Sequence, residues 1–171
     1  MKRAFWRRLD MLARHLLPFA STLAMLVLGA VPLHLPAFAS VAPSMSLIAV
    51  FHWSLYRPDL MPAWAAFVLG IVQDIFLGLP LGVGACVLIA VHAAVSTQRR
   101  FFVGKSFGIV WLGFAVMASA GLAFTWFLTC IYHGALLAPN AMLFQALITI
   151  GVFPLLSRLL LRCQIVVLGR A

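Results

Sequence analysis

Hydrophobic positions fill this chain in long runs broken by short links, and six such segments stand out: Leu16 to Phe38, Val41 to Tyr56, Leu60 to Leu77, Gly82 to Ser96, Phe107 to Tyr132, and Pro139 to Ser157. A helix crossing a bilayer needs about 20 mostly apolar residues, because ~1.5 Å of rise per residue must cover ~30 Å of hydrocarbon. The pattern therefore predicts an all-α bundle of six transmembrane segments. The breaks carry helix-ending or turn chemistry: Pro43, the Arg57-Pro58 pair before Pro62, the link Gly78-Leu79-Pro80-Leu81-Gly82, and Pro139-Asn140. Links this short make neighbouring helices antiparallel.

Composition agrees with lipid as the solvent, since 65% of the 171 residues are hydrophobic and 9% are charged. The net charge of +9 would point to nucleic acid in a soluble protein, but here the basic residues sit in clusters between apolar runs, so they report topology and no nucleic-acid partner is expected. Lys and Arg of short loops stay on the cytoplasmic side. With both termini inside, six crossings put all 12 there: Lys2, Arg3, Arg7, Arg8, Arg14, Arg57, Arg99, Arg100, Lys105, Arg158, Arg162 and Arg170. If the third and fourth segments instead dip in and return as a re-entrant hairpin, the parity is unchanged. The expected organisation is one integral membrane domain over 1–171, with a basic amphipathic cytoplasmic arm at 1–15 and a basic cytoplasmic tail at 158–171. Phe5, Leu9, Leu12 and Leu16 share a helical face of the arm, which suits a helix lying on anionic membrane lipids. Docking of the arm to a cytoplasmic partner is the alternative.

The N-terminus also imitates an export signal, with Ala37-Phe38-Ala39 ahead of Ser40. That reading is set aside because the apolar run outlasts an h-region of roughly 7–15 residues and further spans follow. Pro18, Pro32 and Pro36 in the first span and Pro154 in the last should bend their helices, and in lipid the carbonyls they free need new donors. Ala20 to Ala24 and Gly104 to Gly108 are small-residue steps that allow close helix contact.

Chemistry-bearing residues are sparse. Cys86, Cys130 and Cys163 lack metal-ligand spacing, and the five histidines have no paired spacing on one helix, so neither a metal nor a cofactor is expected. There is no Glu, no nucleophile elbow and no glycine-rich phosphate loop, and the chain reads as a non-enzyme. Asp74 is the one acid inside an apolar segment, where a charge costs about 3 kcal/mol to insert. Gly70, Asp74 and Gly78 repeat every four residues and so share a helix face that another backbone could approach. Near the C-terminal end of its helix Asp74 opposes the macrodipole, so it needs a donor or a proton. His34, His133, Thr129, Gln145 and His92 are the candidate donors. A polar clamp fixing the turn into Gly78 and a contact to a ligand or partner are level readings of this acid. Arg57-Pro58-Asp59 makes a charged corner at the inner face, read first as a topological anchor.

From Arg57 to Gly82 the sequence resembles the rod shape-determining protein MreD family. The residues that carry the likeness are Arg57, Pro58, Gly70, Asp74, Pro80, Leu81 and Gly82, with Ile71 where the family often has Leu. The resemblance implies a non-enzymatic scaffold of the bacterial cell-elongation complex in the inner membrane. It implies MreC, the RodA polymerase with its transpeptidase partner, and indirectly MreB as partners, and leaves a homodimer open. In fold, the family resembles the substrate-binding subunits of energy-coupling-factor transporters. That likeness, with the buried acid, motivates the alternative of a small-molecule binding or transport subunit with an outward-facing pocket around Asp74.

Overall fold

The computed structural model describes residues 17–29 and 42–168, and every element found there is helical. The N-terminal arm, His34, Pro32, Pro36 and the Ala37 to Ser40 stretch lie outside the described residues. Six α-helices follow in order: α1 Leu17–Gly29, α2 Met45–Tyr56, α3 Ala63–Leu77, α4 Val83–Phe102, α5 Phe107–His133 and α6 Asn140–Leu168. A 3-10 turn over Pro58–Leu60 joins α2 to α3.

Two helices, α5 and α6, are long and apolar enough to cross a bilayer, whereas α1, α2 and α3 are shorter apolar helices. α2 has 12 residues, about 18 Å of helix. Two boundaries differ from the sequence reading. α4 continues past Ser96 to Phe102, because Arg99 and Arg100 complement the negative end of the helix they close. α6 runs on from Ser157 to Leu168, so most of the expected tail prolongs the last helix.

α2 occupies the centre. Its residues Ser46 to Leu55 are all buried, as befits a helix that is apolar around its whole circumference. α4 lies along it, α3 packs chiefly on α4, and α5 and α6 complete the ring. Phe51 of α2 meets Phe114 of α5 and Phe153 of α6 at centroid distances of 5.1 and 5.7 Å, and Phe114 stacks on Phe153 at 4.0 Å. Polar groups inside are tied across helices. Trp53 Nε1 donates to Ser21 Oγ of α1 at 3.0 Å, and Ser54 Oγ and His92 Nδ1 lie 2.8 Å apart. Outward, Trp64, Ile75, Leu112, Phe127 and Leu147 are exposed, an apolar surface suited to lipid.

The proline expectation resolves with a specific donor. Pro154 has no N–H to give to the carbonyl of Ile150 one turn earlier, and Trp111 Nε1 on α5 donates to that oxygen at 3.0 Å. The helix thus stays continuous through Pro154, and the freed acceptor becomes an α5–α6 tether. Trp111→Phe should lower stability by about 1–2 kcal/mol, the cost of leaving that acceptor bare. In a Pro154→Ala background, where residue 154 supplies its own N–H, the same substitution should be close to neutral. A double-mutant cycle on thermal unfolding measures the difference.

The small-residue steps do not pack as their spacing suggests. Ala20 and Ala24 are both exposed. Gly104 sits in the α4–α5 link, and a Cβ at Gly108 would meet open space.

Candidate functional site

The α3–α4 hairpin gathers most of the residues singled out in the sequence. α3 ends at Gly78, whose φ of 65° places it in the left-handed region that glycine enters without a Cβ penalty. The N–H of Leu79 then returns to the Asp74 carbonyl at 3.0 Å. Pro80 cannot continue a helix, and Val83 N–H donates to its carbonyl at 3.2 Å. Gly82, with φ of 101°, is the N-cap of α4.

A glycine N-cap has no side chain with which to satisfy the first amides of its helix. Asp74 supplies what is missing. It is fully buried, its Oδ2 accepts the Gly82 N–H at 2.8 Å, and its Oδ1 accepts the Gly84 N–H at 2.8 Å. The carboxylate therefore sits on the positive end of the α4 macrodipole and takes two charge-assisted hydrogen bonds. This offsets the unfavourable end of its own helix and the cost of burial.

The expected donors are elsewhere. His92 faces Ser54, Thr129 donates to Thr125 O, His133 Nδ1 lies against Thr129 O, and Gln145 donates to Ala42 O. Backbone amides of the Pro80-Leu81-Gly82 turn and the start of α4 take both carboxylate oxygens, and Asp74 has no side-chain donor among the described residues. A visible clue was the eight-residue interval from an intramembrane acid to a glycine opening the next helix.

The glycines set the spacing that makes this contact possible. A Cβ on Gly70 would come within 2.3 Å of Ala85 Cα and 2.5 Å of Ala85 N. One on Gly84 would come within 2.4 Å of Asp74 Oδ1. α3 and α4 therefore touch backbone to backbone. Gly84 was not anticipated, since its partner lies across the turn. Gly78 departs from the expected shared face: it is exposed and a Cβ there would meet nothing, so its role is conformational.

Arg57 and Pro58 are not brought to this cluster. They sit at the other end of α3, whose 15 residues span about 22 Å. Arg57 closes α2, its N–H bonding to Trp53 O at 2.9 Å, and Pro58 opens the 3-10 turn. Beside them Arg99 Nε donates to Leu55 O at 3.0 Å, a cation satisfying a terminal carbonyl of α2. Arg57, Arg99, Arg100, Lys105, Arg158 and Arg162 all lie toward this one end of the bundle.

A cavity of about 310 Å³ opens at the opposite end. It is lined from all six helices by residues that include Leu26, Ser46, Gln73, Leu88, Leu122 and Gln145, and Asp74 is not among them. The expected pocket around Asp74 is thereby corrected: its carboxylate is spent on α4, and the open space lies beside Gln73, one residue along the helix.

An all-helical bundle with lipid-suited outer faces and charge gathered at one end defines a membrane protein built around an acid-clamped helical hairpin. The chain belongs to the rod shape-determining protein MreD family, whose model matches residues 10–163. It is thus a membrane protein of rod-shape determination. No curated protein and no solved structure matches it.

Proposed function

We propose that this chain is a non-enzymatic scaffold of the cell-elongation machinery in the bacterial inner membrane, holding MreC together with the peptidoglycan synthases. The observation that carries this reading is the family match over 10–163. In this reading residues 1–171 are one integral membrane domain with six crossings and both termini in the cytoplasm, in a fold like that of energy-coupling-factor substrate-binding subunits. The gathering of the described arginines and Lys105 at one end of the bundle supports that orientation.

The hairpin motif has a defined place in this proposal. Gly70, Asp74, Gly78, Pro80 and Gly82 act by making α3 and α4 one rigid unit, and partners meet that unit from outside. Trp64, Phe67, Val68 and Phe76 on the outward side of α3 are exposed and form a rigid apolar surface that the single span of MreC could share with lipid. Arg57 and Pro58 fix the inner corner from which α3 starts. RodA, its transpeptidase and, indirectly, MreB complete the partner set.

Depletion of the protein should turn rod-shaped cells round, and affinity purification from detergent-solubilised membranes should recover MreC. Rods that persist through depletion, with no MreC recovered, would remove the basis for the proposal.

A further inference from the structure

The cavity at the end of the bundle away from the arginines has no part in the scaffold reading, and its walls are chemically uneven. Leu26, Leu77, Leu88 and Leu122 supply apolar lining. Among the polar lining residues, Ser46 Oγ donates to Gln73 Oε1, which leaves the N–H₂ of that amide with no partner among the described residues. Thr125 and Gln145 each commit a donor inside the protein, whereas Ser44 Oγ and Gln145 Oε1 have no partner among the described residues. Thr125 Oγ1 donates to Gly121 O at 3.1 Å, and Gln145 Nε2 to Ala42 O at 3.0 Å. The spare hydrogen-bonding capacity of the described side chains on the wall therefore includes the Gln73 N–H₂ as a donor, Gln145 Oε1 as an acceptor and the Ser44 hydroxyl as either.

We propose that this cavity is a binding site for a small uncharged molecule that offers Gln73 a hydrogen-bond acceptor and carries an apolar body. The volume of about 310 Å³ falls at the lower end of the range of small-molecule sites, about 300–1,000 Å³. Among the described residues no Asp, Glu, Lys or Arg lines it, and a charged ligand at membrane depth without a counter-charge would keep its full desolvation cost. A wall with spare donors and acceptors and no charge selects a small uncharged polar head, such as an amide, over an ion or a bare hydrocarbon. Residues 30–41 join Gly29 to Ala42, both of which line the cavity, and lie outside the described residues.

The test uses the full chain in lipid nanodiscs, with hexanamide as competitor and a diazirine-bearing analogue of hexanamide as photoprobe. Mass spectrometry of the photolabelled protein should place competitor-sensitive labels on the cavity-lining stretches around Gln73, Leu88 and Leu122. Gln73→Leu should weaken competition about fivefold, the worth of one neutral hydrogen bond. Leu122→Trp, which fills the space, should abolish it, and gel filtration of each variant reports whether it has folded. If Leu122→Trp does not fold, Gln73→Leu decides alone. Labels confined to lipid-facing residues such as Trp64 and Leu112, labelling that hexanamide does not compete, or competition unchanged in Gln73→Leu would overturn the proposal. None of these outcomes bears on cell shape, so the scaffold reading is judged separately.

Discussion

Asp74→Ala is expected to destabilise the protein by about 3–5 kcal/mol, because it strands the buried Gly84 amide and the half-buried Gly82 amide, which now have a charged acceptor. The Gly82 and Gly84 N–H groups each sit 2.8 Å from a carboxylate oxygen, and the side chain is shielded from any solvent that could replace it. Asp74→Asn should fall between wild type and Asp74→Ala. One amide keeps an oxygen, while the other is left facing the NH₂ of the new side chain. The measurement is the fraction of protein surviving gel filtration after graded heating in detergent. A carboxylate that served instead as a partner contact would give the opposite signature. Asp74→Ala would then keep its thermal stability and lose MreC on co-purification.

Gly70→Ala should be the second most damaging small change, although it adds one methyl group. That methyl would sit 2.3 Å from Ala85 Cα, and the atoms it meets are backbone, so no rotamer can yield. Overpacking a well-fitted interface costs about 1–3 kcal/mol, and here α4 must also move away from Asp74. The loss should therefore exceed what a methyl group costs elsewhere in the bundle. Because both changes break the same carboxylate–amide contact, Gly70→Ala combined with Asp74→Ala should cost clearly less than their sum. Additive losses in the heating assay would separate the glycine contact from the clamp and refute the coupled picture.

How much of this was legible in the sequence varies by residue. The break at Gly78-Leu79-Pro80-Leu81-Gly82 announced a turn, because glycine and proline act on the chain locally whatever surrounds them. Asp74 announced itself through cost, since an acid in an apolar run must be compensated. Its compensator was not legible. A backbone amide has no letter in the sequence, and finding it requires knowing that α4 begins with an uncapped glycine lying against α3. Gly84 was hidden for the same reason, as was the pairing of Trp111 with the carbonyl freed by Pro154. The repeat of Gly70, Asp74 and Gly78 misled in one respect: regular spacing suggested a common face, but the helix ends at Leu77 and Gly78 turns the chain.

By itself the sequence determined the solvent, the number and order of apolar segments, the clustering of basic residues and the need to neutralise Asp74. Each of these follows from composition or from local backbone preference. Only the tertiary structure decided that the acid caps the following helix, that α2 fills the centre, and that the cavity opens beside Gln73 and away from Asp74. These depend on which backbone amides and which faces meet across the bundle, and such distances are set by packing between segments that hydropathy leaves indistinguishable.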